Sequence, residues 1–155
     1  MNEDELTMNT LSNQVTILMQ SLSMNESFAR MAVAAFITPF DPTVNEMTDI
    51  KTAVSEAVTN AIIHGYENKE GVVHIRCVLE SDAVSIDIWD EGAGIADIEK
   101  ALEPLYTSKP ELERSGMGFT VMESFTDTLE VFPNLKRGVK VKMTKNFDMN
   151  KNAEE

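Results

Sequence analysis

Between Thr48 and Gly65 the chain reads TDIKTAVSEAVTNAIIHG, and its apolar residues Ile50, Val54, Val58, Ala61 and Ile62 recur at intervals of three and four. That period predicts an amphipathic helix. Thr43 and Glu46 have the spacing of a capping box at its start, and Gly65 is placed to cap its C-terminus. Upstream, Val15, Ile17 and Met19 alternate with Thr16 and Gln20, which predicts an edge strand. Ser23 followed by Glu26 predicts another capping box, opening a helix whose apolar stripe is Phe28, Met31, Ala32, Ala35 and Phe36. Arg30 falls outside that stripe and has no obvious acidic partner at helical spacing. Pro39 and the Asp41–Pro42 pair end this helix in a turn.

Downstream the period changes from helical to alternating. In 72–80, Val73, Ile75, Cys77 and Leu79 share one face; in 83–89, Val84, Ile86 and Ile88 do, and Ser81–Asp82 between them suits a tight hairpin. A short helical piece follows around Ile98–Leu102. Residues 103–115 form a polar stretch with two prolines and too little apolar content for core, a length that in a small domain often marks function. A helix is predicted over 118–125, then strands over 128–132 and 138–144, the last with Val139, Val141 and Met143 inward and Lys140 and Lys142 outward. The order predicts an α/β two-layer sandwich, a mixed, mostly antiparallel sheet with helices on one face. The expected domain spans 13–144, between a flexible extension over 1–12 and a polar tail over 145–155.

Charge narrows the chemistry. The 155 residues hold 26 acidic and 13 basic side chains, a net charge of −13. Such a chain repels a nucleic-acid backbone, so a nucleotide must be held by a local site, with a cation, while the overall field favours partners with basic surfaces. The single cysteine, Cys77, excludes an intrachain disulfide or a clustered-cysteine metal site, and its alternating apolar neighbours predict a buried, inert thiol. No long apolar run predicts a membrane span, and the acidic N-terminus does not suit a signal peptide; a cytoplasmic protein is expected.

Candidate chemistry concentrates in three places. Glu56, Asn60 and His64 lie four apart and share one stripe of the central helix, offering a carboxylate base and a neutral oxygen ligand one turn apart. His64 reads equally as a residue placed by the helix end. Asp90 closes a strand and is followed by Gly92 and Gly94, which lets backbone approach a ligand while the carboxylate accepts a hydrogen bond from an exocyclic amine such as adenine's. The same DxGxG also serves as a plain turn. Gly116, Met117 and Gly118 open a helix whose unpaired N–H groups can cradle phosphate, although neither a P-loop nor a dinucleotide fingerprint is present. Thr107, Ser108, Lys109 and Arg114 add hydroxyls and positive charge just before it, or are simply solvated. Trp89 and the ten methionines read as packing residues.

Taken together, ExxxNAxxHG at 56–65, DxGxG at 90–94 and GxG at 116–118 resemble the nucleotide boxes of the GHKL superfamily. NESFAR at 25–30, VSEAVTNAIIHGY at 54–66 and KPELERSGMGF at 109–119 resemble more closely the anti-sigma F family of serine-protein kinases from spore-forming Firmicutes. The likeness runs from about residue 25 to 141. It implies a Bergerat-fold kinase that forms a homodimer, binds ATP and Mg²⁺, holds the forespore sigma F factor inactive and phosphorylates a serine of an anti-anti-sigma factor. It also implies roles: Glu56 as general base, Asn60 as Mg²⁺ ligand, and Asp90 on adenine. Gly92, Gly94, Gly116 and Gly118 would supply the shaping backbone, and Arg30 and Arg114 partner contacts. A general-stress anti-sigma kinase is the near alternative. A sensor histidine kinase, a gyrase- or Hsp90-like module and a noncatalytic binding module are further ones, the last disfavoured because Glu56 and Asn60 are both present.

Overall fold

The computed structural model describes residues 12–96, 98–103, 118–134 and 137–147. The extension over 1–11, the whole polar stretch after Glu103 and the last residues of the tail lie outside them. In chain order the elements are β1 (Ser12–Gln20), α1 (Asn25–Ile37), α2 (Val44–Asn60), β2 (Val72–Glu80), β3 (Ala83–Trp89), α3 (Ile98–Ala101), α4 (Gly118–Phe125), β4 (Thr128–Pro133) and β5 (Val139–Asn146). The sheet order is β1-β2-β3-β5-β4, and each described pairing is antiparallel. The expected two-layer sandwich is present, with β1 on an edge as its alternation required.

Registration follows the apolar alternation. Ile75 pairs with Ile88 and Ile88 with Val141, while Cys77 pairs with Ile86 and Ile86 with Met143, so one face is apolar across three strands. A one-residue slip would turn every one of these side chains to water. Helix α2 lays Ile50, Val54 and Val58 on that face, all almost fully buried, and is flanked by α1 and α4. Cys77 is buried in this layer, and burial first, then the Asp87 charge, pushes its thiol up to about 12, as an inert core cysteine requires.

The opposite face carries a cross-strand row: Leu18, His74, Trp89, Lys140 and Phe132 stand in register. The His74 and Trp89 rings stack at 5.0 Å, Lys140 Nζ lies 5.3 Å from the Trp89 centroid, and Lys140 pairs with Asp87 at 3.5 Å. Trp89 is therefore a packing residue, but of the outer face rather than the core.

Four local expectations are corrected. The Ser23–Glu26 capping box does not form: the N-cap of α1 is Met24, without a side-chain cap, and Glu26 instead pairs with Arg30 four residues on, at 3.5 Å. Arg30 thus has the acidic helical partner it was expected to lack. The buried stripe of α1 is Ala29, Val33, Ala34 and Ile37, which leaves Phe28 and Met31 more than half exposed. The larger side chains attract the eye in the sequence, but small ones let α1 approach α2 closely. Finally, β5 continues beyond Thr144. Lys145 Nζ donates to Asp49 Oδ2 and the Phe125 carbonyl, both at 3.2 Å, and buried Phe147 stacks on Phe40 at 4.9 Å. The chain here is held in the domain, not released as a tail.

The second capping box is complete. Glu46 N–H donates to Thr43 Oγ1 at 3.1 Å and Thr43 N–H to Glu46 Oε1 at 2.9 Å. Thr43→Ala should therefore cost about 1 kcal/mol in urea unfolding, whereas Ser23→Ala should cost no more than a few tenths. Equal losses would mean that the two helix starts are capped alike.

Candidate functional site

Helix α2 does not end as a regular helix. Over Ala61–Gly65 it widens into a π-turn, with Tyr66 N–H donating to Ala61 O at 2.9 Å, a distortion that recurs at functional sites. Glu67 and Asn68, at φ 55° and 60°, then reverse the chain. Gly65 was expected to cap the helix, but it lies inside the π-turn, whose C-cap is Tyr66, and the described glycines with positive φ are Gly94 and Gly138. The role of Gly65 is close approach. A Cβ there would lie 2.7 Å from Asp90 Cγ.

Asp90 follows the last residue of β3 and is only 4% exposed. Its Oδ1 accepts from Gly92 N–H at 2.9 Å, and its backbone N–H donates to Val139 O at 3.0 Å. Burial raises the carboxyl pKa above its ordinary value, while hydrogen bonding from the Gly92 and Val139 backbone pulls in the opposite direction. The turn that follows is tied on several sides. Ala93 N–H donates to Gly65 O at 2.7 Å, Asn134 Nδ2 to Asp90 O at 3.1 Å and Arg137 Nε to Gly92 O at 2.8 Å. Glu91 N–H donates to Tyr66 Oη at 2.8 Å, and that hydroxyl donates to Val72 O at 2.6 Å. Gly138, at φ 99°, packs on Asp90, where a Cβ would overlap the Asp90 carbonyl oxygen.

These contacts wall a cavity of about 290 Å³ between α2, β3, β5 and the start of α4. Ile88, Ile95, Val141 and Ala61 give it apolar surface, and Asp90, Asn60 and His64 give it polar groups. Gly94 and Gly118 also line it. Gly92 does not: it is pressed beneath the Gly65 carbonyl, shaping the turn from behind. Glu56 does not line this cavity either. It lies one turn before Asn60, in a neighbouring groove that also includes Arg30. Thr107, Lys109, Arg114, Gly116 and Met117 lie outside the described residues.

Sequence reasoning missed Tyr66, Asn134, Arg137 and Gly138. The glycine before an alternating strand was a usable signal; the other three act through long-range hydrogen bonds that no local pattern announces. Among the described residues no group of three His, Cys, Asp or Glu side chains could hold a metal. A single neutral amide oxygen in a cavity suits a cation whose other ligands arrive with an anionic substrate. The buried carboxylate in an apolar slot suits a flat, amine-bearing ring.

Residues 22–145 match the model of the histidine kinase-like ATPase domain. The anti-sigma F factor of Oceanobacillus iheyensis is 56% identical over 142 residues, covering 91% of this chain and 97% of that protein. That of Clostridium acetobutylicum is 58% identical over 137 residues, 88% and 96% of the two chains. The chain belongs to the anti-sigma F factor family, within the GHKL superfamily. Solved structures extend the likeness of fold beyond this family. The RsbU and RsbW domains of Rv1364c from Mycobacterium tuberculosis match with a TM-score of 0.63 at 17% identity, over 87% of this chain and 32% of that one. The catalytic domain of histidine kinase ThkA matches with a TM-score of 0.56 at 16% identity, over 89% and 98%. An anti-sigma F fold thus shares its architecture with a histidine kinase catalytic domain. No helix among the described residues is long and apolar enough to cross a membrane.

The electrostatics of Asp90 make a prediction for the ligand-free protein. Its folded pKa is raised, so the native state binds this proton more tightly than the unfolded chain, and the ionised carboxylate lowers stability. The loss is absent below the unfolded pKa and complete above the folded one. Asp90→Asn, which keeps shape and the acceptor for Gly92, should raise Tm relative to wild type at about pH 8, with the gap closing as pH falls toward about 4, near the ordinary carboxylate value. A gap that widens on acidification would reverse the assigned sign.

Proposed function

We propose that this chain is an ATP-dependent serine-protein kinase and anti-sigma factor, binding a sigma F-type factor and phosphorylating a serine of an anti-anti-sigma protein. The observation that carries the reading is the division of one helical stripe. Asn60 opens into a cavity with a buried carboxylate, and Glu56, one turn earlier, opens into a groove reachable by another protein. The near full-length likeness to anti-sigma F factors supports it. In this reading Asp90 accepts the adenine amine, and Gly94 and Gly118 let backbone close on the nucleotide. Thr107, Lys109, Arg114, Gly116 and Met117 supply hydroxyls, charge and N–H groups to its phosphates. Asn60 would hold Mg²⁺, which neutralises phosphate charge. Glu56 takes the proton of the acceptor serine as its oxygen bonds to the γ-phosphorus and the bond to the ADP oxygen breaks. Arg30 and Arg114 contact the partners, the protein works as a cytoplasmic homodimer in the forespore, and neither nucleic acid nor membrane is bound directly.

Two variants separate these roles. Asp90→Asn should weaken ATP binding by about 2–4 kcal/mol, because the buried amine loses a charged acceptor; unchanged affinity by calorimetry in the folded variant would remove Asp90 from the adenine site. Glu56→Gln should leave ATP affinity and sigma binding nearly intact while single-turnover phosphotransfer falls by about 10²–10⁴-fold. Transfer within threefold of wild type, with acceptor and ATP in excess, would show that Glu56 is not the base.

A further inference from the structure

The turn after β3 is gripped peptide by peptide. The 90–91 peptide is held at both ends: its oxygen accepts from Asn134 Nδ2 at 3.1 Å, and its N–H, on Glu91, donates to Tyr66 Oη at 2.8 Å. The 92–93 peptide is held likewise. Its oxygen accepts from Arg137 Nε at 2.8 Å, and its N–H, on Ala93, donates to Gly65 O at 2.7 Å. Between the two, Gly92 N–H donates to Asp90 Oδ1 at 2.9 Å. The carboxylate therefore takes its orientation from a peptide that cannot turn unless its neighbours do. With Oδ1 given to Gly92, the direction of Oδ2 is fixed as well.

The partners come from two segments. Gly65 and Tyr66 belong to the π-turn and its cap, so they are carried by α2. Asn134 and Arg137 belong to the turn between β4 and β5, where Asn134 N–H also donates to Gly138 O at 3.1 Å and Val139 O accepts from Asp90 N–H at 3.0 Å. Neither Asn134 nor Arg137 lines the cavity; each reaches it through the backbone around Asp90. Arg137 is exposed, and water alone could solvate its guanidinium. What its bond fixes is the Gly92 carbonyl.

We propose that Asn134 and Arg137 are positioning residues for adenine recognition. From the β4–β5 turn they fix the two peptides on which the aim of the Asp90 carboxylate depends, and so set how strongly the site prefers a 6-aminopurine. A side chain that touches the ligand keeps its geometry only when the groups behind it are locked in turn. Hydrogen bonds weaken steeply as they bend, so a carboxylate free to tilt loses its preference for the amine first. It loses the nucleotide later, because the phosphates are assigned to other residues. The inference rests on the reading above in which Asp90 accepts the adenine amine.

The test is calorimetric binding of ATP and of purine riboside triphosphate, which lacks only the 6-amino group, to the full-length chain with Mg²⁺. Wild type should bind ATP about tenfold or more tightly than the analogue. Arg137→Ala and Asn134→Ala should each lower that ratio by about threefold or more, by weakening ATP while affinity for the analogue stays within about twofold. Arg137→Lys, which keeps a charged donor, should recover part of the ratio. A substitution that merely loosens the fold would weaken both nucleotides together and leave the ratio alone. A wild-type ratio in both alanine variants, whether or not the two affinities fall, would therefore overturn the proposal; Arg137→Gln gives the same comparison should an alanine variant unfold. If wild type binds the two nucleotides equally, the adenine reading of Asp90 fails and the positioning role with it. If it discriminates but transfers no phosphate to an anti-anti-sigma protein, only the kinase reading fails, and the ratio still decides the role of Asn134 and Arg137.

Discussion

The site depends on burying one carboxylate where three segments converge. Asp90 sits between the π-turn at the end of α2, the turn after β3 and the start of β5, and each approaches it through a glycine. Gly65 faces its side chain, Gly138 its carbonyl, and Gly92 both donates to Oδ1 and lies under the Gly65 carbonyl. A methyl group at any of the three would push the segments apart. The close fit removes water from the carboxylate, which raises its pKa, and that cost is offset only partly by backbone hydrogen bonds. A polar group held at a cost in stability is a candidate for binding.

Helix α2 joins this pocket to the rest of the chemistry. Its apolar face, Ile50, Val54 and Val58, is locked onto the sheet, so its position and rotation are set by core packing. The row from Thr48 to His64 is carried with it. The first part of the row faces a groove containing Arg30 and Lys51, the second a cavity containing Asp90. A rigid helix thereby holds a candidate base and a candidate metal ligand one turn apart, each toward a different opening. Precision of this kind comes from an element buried on one side, not from a loop.

Helix α1 leaves large apolar side chains on the surface. By burying Ala29, Val33, Ala34 and Ile37, it packs closely and turns Phe28 and Met31 outward. Leu22 and Met24 are exposed beside them, so an apolar patch borders Arg30. Exposed side chains this large carry a solvation cost that contact with another protein would relieve.

Much of this architecture is written locally. The alternation in β2, β3 and β5, the period of α2, the Thr43–Glu46 box and the strand–Asp–turn–Gly sequence at Asp90 determine their own conformations, because each depends on neighbours within a few residues. The stripe that unites Glu56 and Asn60 is equally legible, being only helical geometry. The rotation of α1 was not: bulk along the sequence suggests Phe28 and Met31 as core, and only the approach of α2 makes the smaller residues the better fit. Nor does sequence spacing tell that Glu56 and Asn60 open into different spaces, since that depends on where α1 and the Asp90 turn stand against the helix. Tyr66, Asn134 and Arg137 gain their roles the same way, reaching across 25 to 45 residues of chain to hold one turn. Local pattern determined the elements and the reactive groups; long-range packing alone decided which of them share a cavity, because that is a matter of distances between segments the chain must first bring together.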